Sequence, residues 1–289
     1  MRLFLLTALT MGAFAANSIL NRMALASGTI DPLSFGAIRL VAGAVALAGL
    51  AMAMRGTLRL WGPGRWAGGL SLLVYIFGFS LAYTQLDAGL GALILFGVVQ
   101  ITMFAGAVRG GQNPPPRRWL GAGLAFAGLV WLLWPLSGDK AQKISLWHGG
   151  LMALAGVGWG IYSLTGRLST DALQATAANF VLTAPLAGLL LAALWALDAN
   201  EMPGAEGVAL AVLSGAVTSG MGYALWYAIL PRLDAGLAAV AQLTVPVLAM
   251  AGGMVLLSEV LTPQFALASL IVLAGVALSA LPMRQNKSW

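Results

Sequence analysis

Cysteine is absent from this 289-residue chain, and histidine occurs once, at His148. The first absence removes disulfides, thiolate nucleophiles and iron–sulfur ligation. The second removes a histidine-based metal centre, so neither metal nor cofactor is expected. Charge is scarce too. Only 8% of residues are Asp, Glu, Lys or Arg, while 60% are hydrophobic; a soluble domain carries about 25% charged residues. Lipid is the solvent that suits such a composition. No Asp, Glu or Lys sits in the middle of an apolar run, which argues against a proton relay through a buried carboxylate. Without paired carboxylates, a metal cluster or an activated nucleophile, membrane enzymology is disfavoured as well.

What the chain has is apolar length. A membrane helix needs about 20 mostly apolar residues, and ten such runs occur, at about 3–25, 33–54, 67–86, 88–108, 119–136, 147–166, 175–197, 207–229, 235–257 and 264–282. Turn residues separate them: Asp31-Pro32, Gly62-Pro63-Gly64, Asn113-Pro114-Pro115-Pro116, Pro203-Gly204 and Thr262-Pro263. The expectation is an all-α membrane protein of ten transmembrane helices with no soluble domain. Met1-Arg2, the first apolar run and Ala13-Phe14-Ala15 have the outline of a cleavable signal. A partner for this run deep in the chain argues that it is a retained span.

The basic residues report orientation. With a cytoplasmic N-terminus, inside segments hold Arg2, Arg55, Arg59, Arg65, Arg109, Arg117, Arg118, Arg167, Arg232, Arg284 and Lys287, and outside segments hold Arg22, Lys140 and Lys143. That bias is the positive-inside pattern, with both termini cytoplasmic in a bacterial-type inner membrane. The net charge of +6 is therefore a topology signal and no nucleic-acid partner is expected. Trp61, Trp66, Trp119, Trp134, Trp147 and Trp195 fall near run ends, where aromatic belts form.

The chain repeats itself. Leu86-Asp87-Ala88-Gly89-Leu90 recurs as Leu233-Asp234-Ala235-Gly236-Leu237, 147 positions later. Gly78-Phe79-Ser80-Leu81-Ala82-Tyr83 resembles Gly222-Tyr223-Ala224-Leu225-Trp226-Tyr227, and Ser18, Arg22 and Asp31 match Ser163, Arg167 and Asp171 in the same order. Residues 1–136 form a first unit of five spans, 137–146 a periplasmic linker, and 147–289 a second unit of five. An odd number of spans per unit inverts the second relative to the first, the architecture of many secondary transporters. Asp87 and Asp234 are expected to cap helix starts.

Leu256-Leu257-Ser258-Glu259-Val260-Leu261-Thr262-Pro263-Gln264 with Ile271-Val272-Leu273-Ala274-Gly275-Val276 is similar to the ninth-to-tenth span signature of the EamA type of the drug/metabolite transporter superfamily. Phe35-Gly36-Ala37-Ile38-Arg39-Leu40 resembles that family's arginine-bearing second span. The first half departs from the glutamate pattern, with Gln112 opposite Glu259. The resemblance implies ten helices in two inverted halves, with spans five and ten paired. The aromatic profile is most similar to the YddG group of aromatic amino-acid exporters.

Polar and aromatic stripes recur at helical spacing in symmetry-related runs. Run one carries Asn17, Ser18 and Asn21; run three Tyr75, Phe79 and Tyr83; run six Trp159, Tyr162 and Ser163; run eight Tyr223, Trp226 and Tyr227. Gln100 and Gln242 add hydrogen-bonding groups, as does Thr244. One at a time such residues glue helices together; as a set they mark a central substrate cavity for a flat solute with polar ends. Hinges are expected at Pro246 and Gly97, which are pseudo-symmetric. Gly121, Gly123 and Gly128 are expected to admit close contact with run ten. Arg39 is read as structural, either snorkelling to the outer interface or pairing with a carbonyl or carboxylate; Glu259 is expected to act as a structural cap, and His148 to be exposed and incidental.

The expected activity is export of small amphipathic metabolites, aromatic and other neutral amino acids first, by alternating access and without covalent chemistry. A multidrug or cationic-compound exporter and a lipid-linked carrier translocase stand as alternatives. The expected partners are the small-molecule substrate and membrane lipids. One chain holds both halves, so a monomer is expected to suffice.

Overall fold

The computed structural model describes residues 1–111, 114–133, 145–167, 169–196, 202–233, 238 and 241–280. Gln112, Asp234, residues 137–144 of the expected linker and the tail from 281 onward lie outside the described residues.

The described residues form ten helices and no strand. They are α1 (Arg2–Ala26), α2 (Pro32–Arg55), α3 (Arg65–Ala82), α4 (Ala88–Arg109), α5 (Pro116–Leu133), α6 (Leu146–Gly166), α7 (Ala172–Ala196), α8 (Ala205–Arg232), α9 (Thr244–Leu257) and α10 (Pro263–Ala280). Six are long and apolar enough to cross a membrane: α1, α2, α3, α4, α7 and α8. α9 and most of α10 are shorter apolar helices. α5 opens on Arg117-Arg118, and α6 is rich in glycine. Large apolar side chains cover the outside of the bundle, among them Phe4, Val45, Leu120, Phe126, Leu189 and Val255. A water-soluble protein does not expose apolar surface on that scale.

Helix starts follow local chemistry. Asp31 Oδ1 accepts from the N–H of Leu33 at 3.0 Å and of Ser34 at 2.9 Å, and Pro32 fills the first position of α2, where a missing N–H is harmless. Asp171, its match in the second half, does the same for α7 through Leu173 and Gln174. The start of α4 is different. Asp87 stands at the N-cap position, but the carboxylate taking the Ala88 N–H, at 2.8 Å, belongs to Glu259 in the α9–α10 turn. Asp87 faces Arg22 at 3.7 Å instead. Glu259 is thus a cap, though for a helix of the other half.

The most extensive packing joins the two halves of the chain. α2 lies on α7, α4 on α9, α5 on α10, α3 on α6 and α1 on α8. Glycines permit the closest approaches. A β-carbon on Gly128 would stand 2.9 Å from Val272, and one on Gly275 would stand 2.6 Å from the Gly121 carbonyl; this is the expected α5–α10 contact. Gly123 faces open space and takes no part in it. Gly78 and Gly222, the matched glycines of the second repeat motif, face α6 and α1 respectively.

Candidate functional site

The stripes expected from the sequence meet where α1, α3, α6 and α8 converge. Trp159 is the hub: its ring lies 4.5 Å from Tyr223, 5.0 Å from Tyr75, 5.3 Å from Tyr162 and 5.3 Å from Phe14. Phe79 touches Tyr75 and Tyr83, Tyr227 lies 4.8 Å from Tyr162, and Trp226 meets Phe14. All of these rings are buried. They close on one another, so in this conformation their own side chains take up the space between the helices.

A polar network runs beside the rings. Asn17 Oδ1 accepts from Ser214 Oγ and Thr218 Oγ1, both at 2.7 Å, and Asn17 Nδ2 donates to Tyr223 Oη at 2.9 Å. Tyr223 Oη donates to Tyr75 Oη at 2.9 Å. Asn21 accepts from Ser80 Oγ at 3.1 Å.

Arg39 does not snorkel. Seven residues into α2 it is fully buried, its Nε donating to Ser219 Oγ at 2.8 Å and its Nη2 to Tyr223 Oη at 2.6 Å and Tyr75 Oη at 3.1 Å. Its guanidinium also lies over the Phe79 and Tyr75 rings, 5.0 and 5.3 Å from their centroids. Of the two routes open to it, the outward one loses because two phenols, one hydroxyl and two ring faces meet the cation inside the bundle.

The remaining expected residues are scattered. Ser163 and Gln242 are fully buried, and their polar atoms have no hydrogen-bond partner among the described residues. The indole N–H groups of Trp159 and Trp226 are in the same position. Gln100 is half-buried on α4. α4 runs unbroken through Gly97, where a β-carbon would stand 2.8 Å from Leu129; Gly97 makes room for α5. Pro246 sits in the first turn of α9, and the helical path is interrupted just ahead of it at Leu243. Proline has no N–H for the Gln242 carbonyl. His148 is half-buried and lies 2.7 Å from Ser145 Oγ.

Three features had little signal in the sequence. Ser214, Thr218 and Ser219 look like ordinary small residues of a membrane helix, yet they carry the network. They lie in a π-helical stretch of α8, Ser214–Met221, a geometry that often marks functional positions. α7 adds Pro185 within the helix, and Phe180 against Tyr223.

The two ends of the bundle differ. At the end holding the α3–α4 and α9–α10 turns, Arg22 Nη1 donates to the carbonyls of Tyr83 and Thr84, and Arg22 approaches both Asp87 and Glu259 at 3.7 Å. At the opposite end the α2–α3 and α6–α7 connections frame a solvent-open cavity of about 330 Å³ lined by Arg55, Arg59, Arg65, Trp61, Asp171 and neighbouring residues. Arg55 pairs there with Asp171 at 2.9 Å.

Comparison with known proteins follows the same line. An uncharacterized protein of Pseudomonas aeruginosa is 45% identical over 283 residues, covering 97% of this chain and 95% of that one. A solved crystal structure, 21% identical, superposes with a TM-score of 0.66 over 94% of this chain and 98% of its own, a likeness of fold. Residues 147–281 match the EamA-like transporter family. With apolar helices on a lipid-facing exterior, this chain is a multi-pass membrane protein that belongs to the EamA-like transporter family.

Proposed function

We propose that the protein is a secondary transporter that moves small amphipathic metabolites, aromatic and other neutral amino acids first, by alternating access around the α1–α3–α6–α8 cluster. The observation that carries this reading is the cluster itself. Aromatic faces, buried indole N–H groups and hydroxyls converge between helices of both halves. Such a site suits a flat ring with a polar end. The cationic-drug alternative is disfavoured by the buried guanidinium of Arg39. A lipid-linked carrier would need a broad basic groove open to lipid, for which Arg39 alone is a poor basis.

All ten helices act as spans, in two inverted units of five, residues 1–136 and 147–289. The packing supports this. α2–α7, α4–α9 and α5–α10 are each a pair of repeat partners, and α1–α8 exchanges with α6–α3 when the halves are swapped. The end with the arginine-lined cavity is cytoplasmic by the positive-inside rule, in a bacterial-type inner membrane. The Leu243 break before Pro246 and the π stretch of α8 serve as the flexible points.

The test is counterflow. Vesicles holding purified protein are loaded with unlabelled tryptophan, and uptake of labelled tryptophan is followed with and without a pH gradient. Saturable exchange indifferent to pH, and lost in folded Trp159→Ala or Tyr83→Ala protein, is expected. Uptake no greater than in empty vesicles overturns the amino-acid reading.

A further inference from the structure

Arg39 has more hydrogen-bonding capacity than its surroundings use. A guanidinium carries five N–H groups. The single Nε–H goes to Ser219 and the two on Nη2 go to Tyr223 and Tyr75. Nη1, with the remaining two, has no partner, although the residue is fully buried. No carboxylate pairs with Arg39 among the described residues; the ion pairs there are Arg22 with Asp87 and Glu259, and Arg55 with Asp171. The nine acidic residues all fall outside the middles of the apolar runs. A guanidinium stays protonated in a protein, so this part of the bundle holds a permanent positive charge. Leaving such a charge without a counter-ion in a medium that excludes water is strongly unfavourable. Phenols and ring faces compensate part of the deficit and leave the charge itself.

We propose that Arg39 is the anion anchor of the translocation site: its unpaired Nη1 receives the carboxylate of an aromatic organic acid whose ring lies among Tyr75, Trp159 and Tyr223. The proposal rests on the transporter reading above and narrows its substrate class. A carboxylate matches the guanidinium fork with two parallel bonds. Nη1 offers one of them freely. The second comes from Nη2 as a phenol hydroxyl gives way, which loosens Tyr223 from its bonds to Asn17 and Tyr75 and couples arrival of the anion to rearrangement of α8 against α1 and α3. The approach has the right sign as well. The 330 Å³ cavity presents Arg55, Arg59 and Arg65 with Asp171 as its acidic member. An anion is drawn to that mouth and a cation repelled.

Three indoles separate the requirements: tryptophan carries amine and carboxylate, indole-3-propionate the carboxylate alone, tryptamine the amine alone. Thermal stabilisation of the detergent-purified full chain, and competition in vesicle exchange, are measured for each. Tryptophan and indole-3-propionate are expected to raise the unfolding midpoint and to compete; tryptamine is expected to do neither. Arg39→Gln should bind tryptophan at least about thirty-fold more weakly, the usual result of removing one partner of a buried charge pair. Arg39→Lys should fall between and keep the order of preference. If Arg39→Gln does not fold, the ligand series on the unaltered protein decides. Tryptamine acting as well as tryptophan overturns the anchor and leaves the transporter reading standing. Exchange of indole-3-propionate with tryptophan inert supports the anchor and defeats the amino-acid reading. Failure of every carboxylate, benzoate included, overturns the anchor.

Discussion

Single residues in this bundle matter through what they leave unpaired. Asn17 satisfies Ser214, Thr218 and Tyr223 at once. Asn17→Ala should therefore destabilise by roughly 2–3 kcal/mol, since an interhelical bond in a membrane averages about 0.6 kcal/mol and stranded buried hydroxyls add a desolvation term. Thermal unfolding in detergent measures it, and an unchanged midpoint would mean the network contributes no stability. Two carboxyl groups outside the helices should titrate in opposite senses. Burial holds the Glu259 carboxyl above its ordinary range; the Ala88 N–H opposes this, Asp87 reinforces it and Arg22 opposes it. The folded state therefore holds that proton more tightly than the unfolded chain. The group's contribution is fully present below the unfolded-state value, about 4.3, and is lost as pH rises through the higher folded-state value. Asp171 is the reverse. Partial burial pushes it up, but the bond from Arg55 and those from the Gln174 and Leu173 N–H groups prevail and lower it. Its contribution is present above the unfolded-state value of about 3.9, is lost as pH falls through the lower folded-state value, and is small because the pair is exposed. Unfolding midpoints followed from pH 7 down to 4 should show Glu259→Gln more stable than the parent at neutral pH, with the difference closing on acidification. A constant difference would exclude titration of Glu259 as its source.

At the scale of elements, α8 is the unusual one. Its π stretch, Ser214–Met221, takes more residues per turn than an α-helix and sets the direction of everything after it. Deleting Val217, on the exposed side of that stretch, should remove the extra residue of the wide turn and restore α-helical winding, which keeps Tyr223, Trp226 and Tyr227 in register but shifts Ser214 and Thr218 out of their joint approach to Asn17. Insertion into the membrane should survive and tryptophan exchange should be abolished; exchange at the parent's rate would mean that the winding has no bearing on the site. Gly215 limits the same region, because a β-carbon there would collide with the Arg39 carbonyl. None of this was legible in the sequence. Ser, Gly and Thr in an apolar run read as ordinary membrane helix, and π geometry has no periodicity signature in eight residues. The aromatic stripes were legible because bulky rings at four-residue spacing stand out and recur in both halves. Helix ends were legible to a few residues where Asp31-Pro32, Pro203-Gly204 and Thr262-Pro263 punctuate the chain. Arg39 was visible as a charge in an apolar run, but its direction depends on Ser219 and Tyr223, 180 and 184 residues away. Pairing over such distances is a property of the fold.

The whole molecule is asymmetric across its thickness in a way that charge alone predicts. One end carries the cavity with Arg55, Arg59 and Arg65, and the other is tied by Arg22 to Asp87 and Glu259. Because the chain has no cysteine, sidedness can be read with single introduced thiols and no background. Trp61 and Met202 suit this: both are exposed, in connections at opposite ends of the bundle. A membrane-impermeant maleimide should label Met202→Cys in intact cells and Trp61→Cys only after permeabilisation. The reverse pattern would put the arginine-lined cavity outside, against the positive-inside rule, and would turn the proposed direction of substrate capture around. If the expected pattern holds, the tied end faces outward and the cavity faces the cytoplasm, so this conformation is sealed to the exterior. Loosening that seal should then favour the opposite state. Arg22→Ala removes both carbonyl bonds and both ion pairs at the sealed end, and touches the aromatic cluster only at the Tyr83 backbone. It should increase maleimide access from outside to a cysteine placed at Ser80, beside Asn21. Access unchanged from the parent would show that the Arg22 contacts are packing and that the seal lies elsewhere.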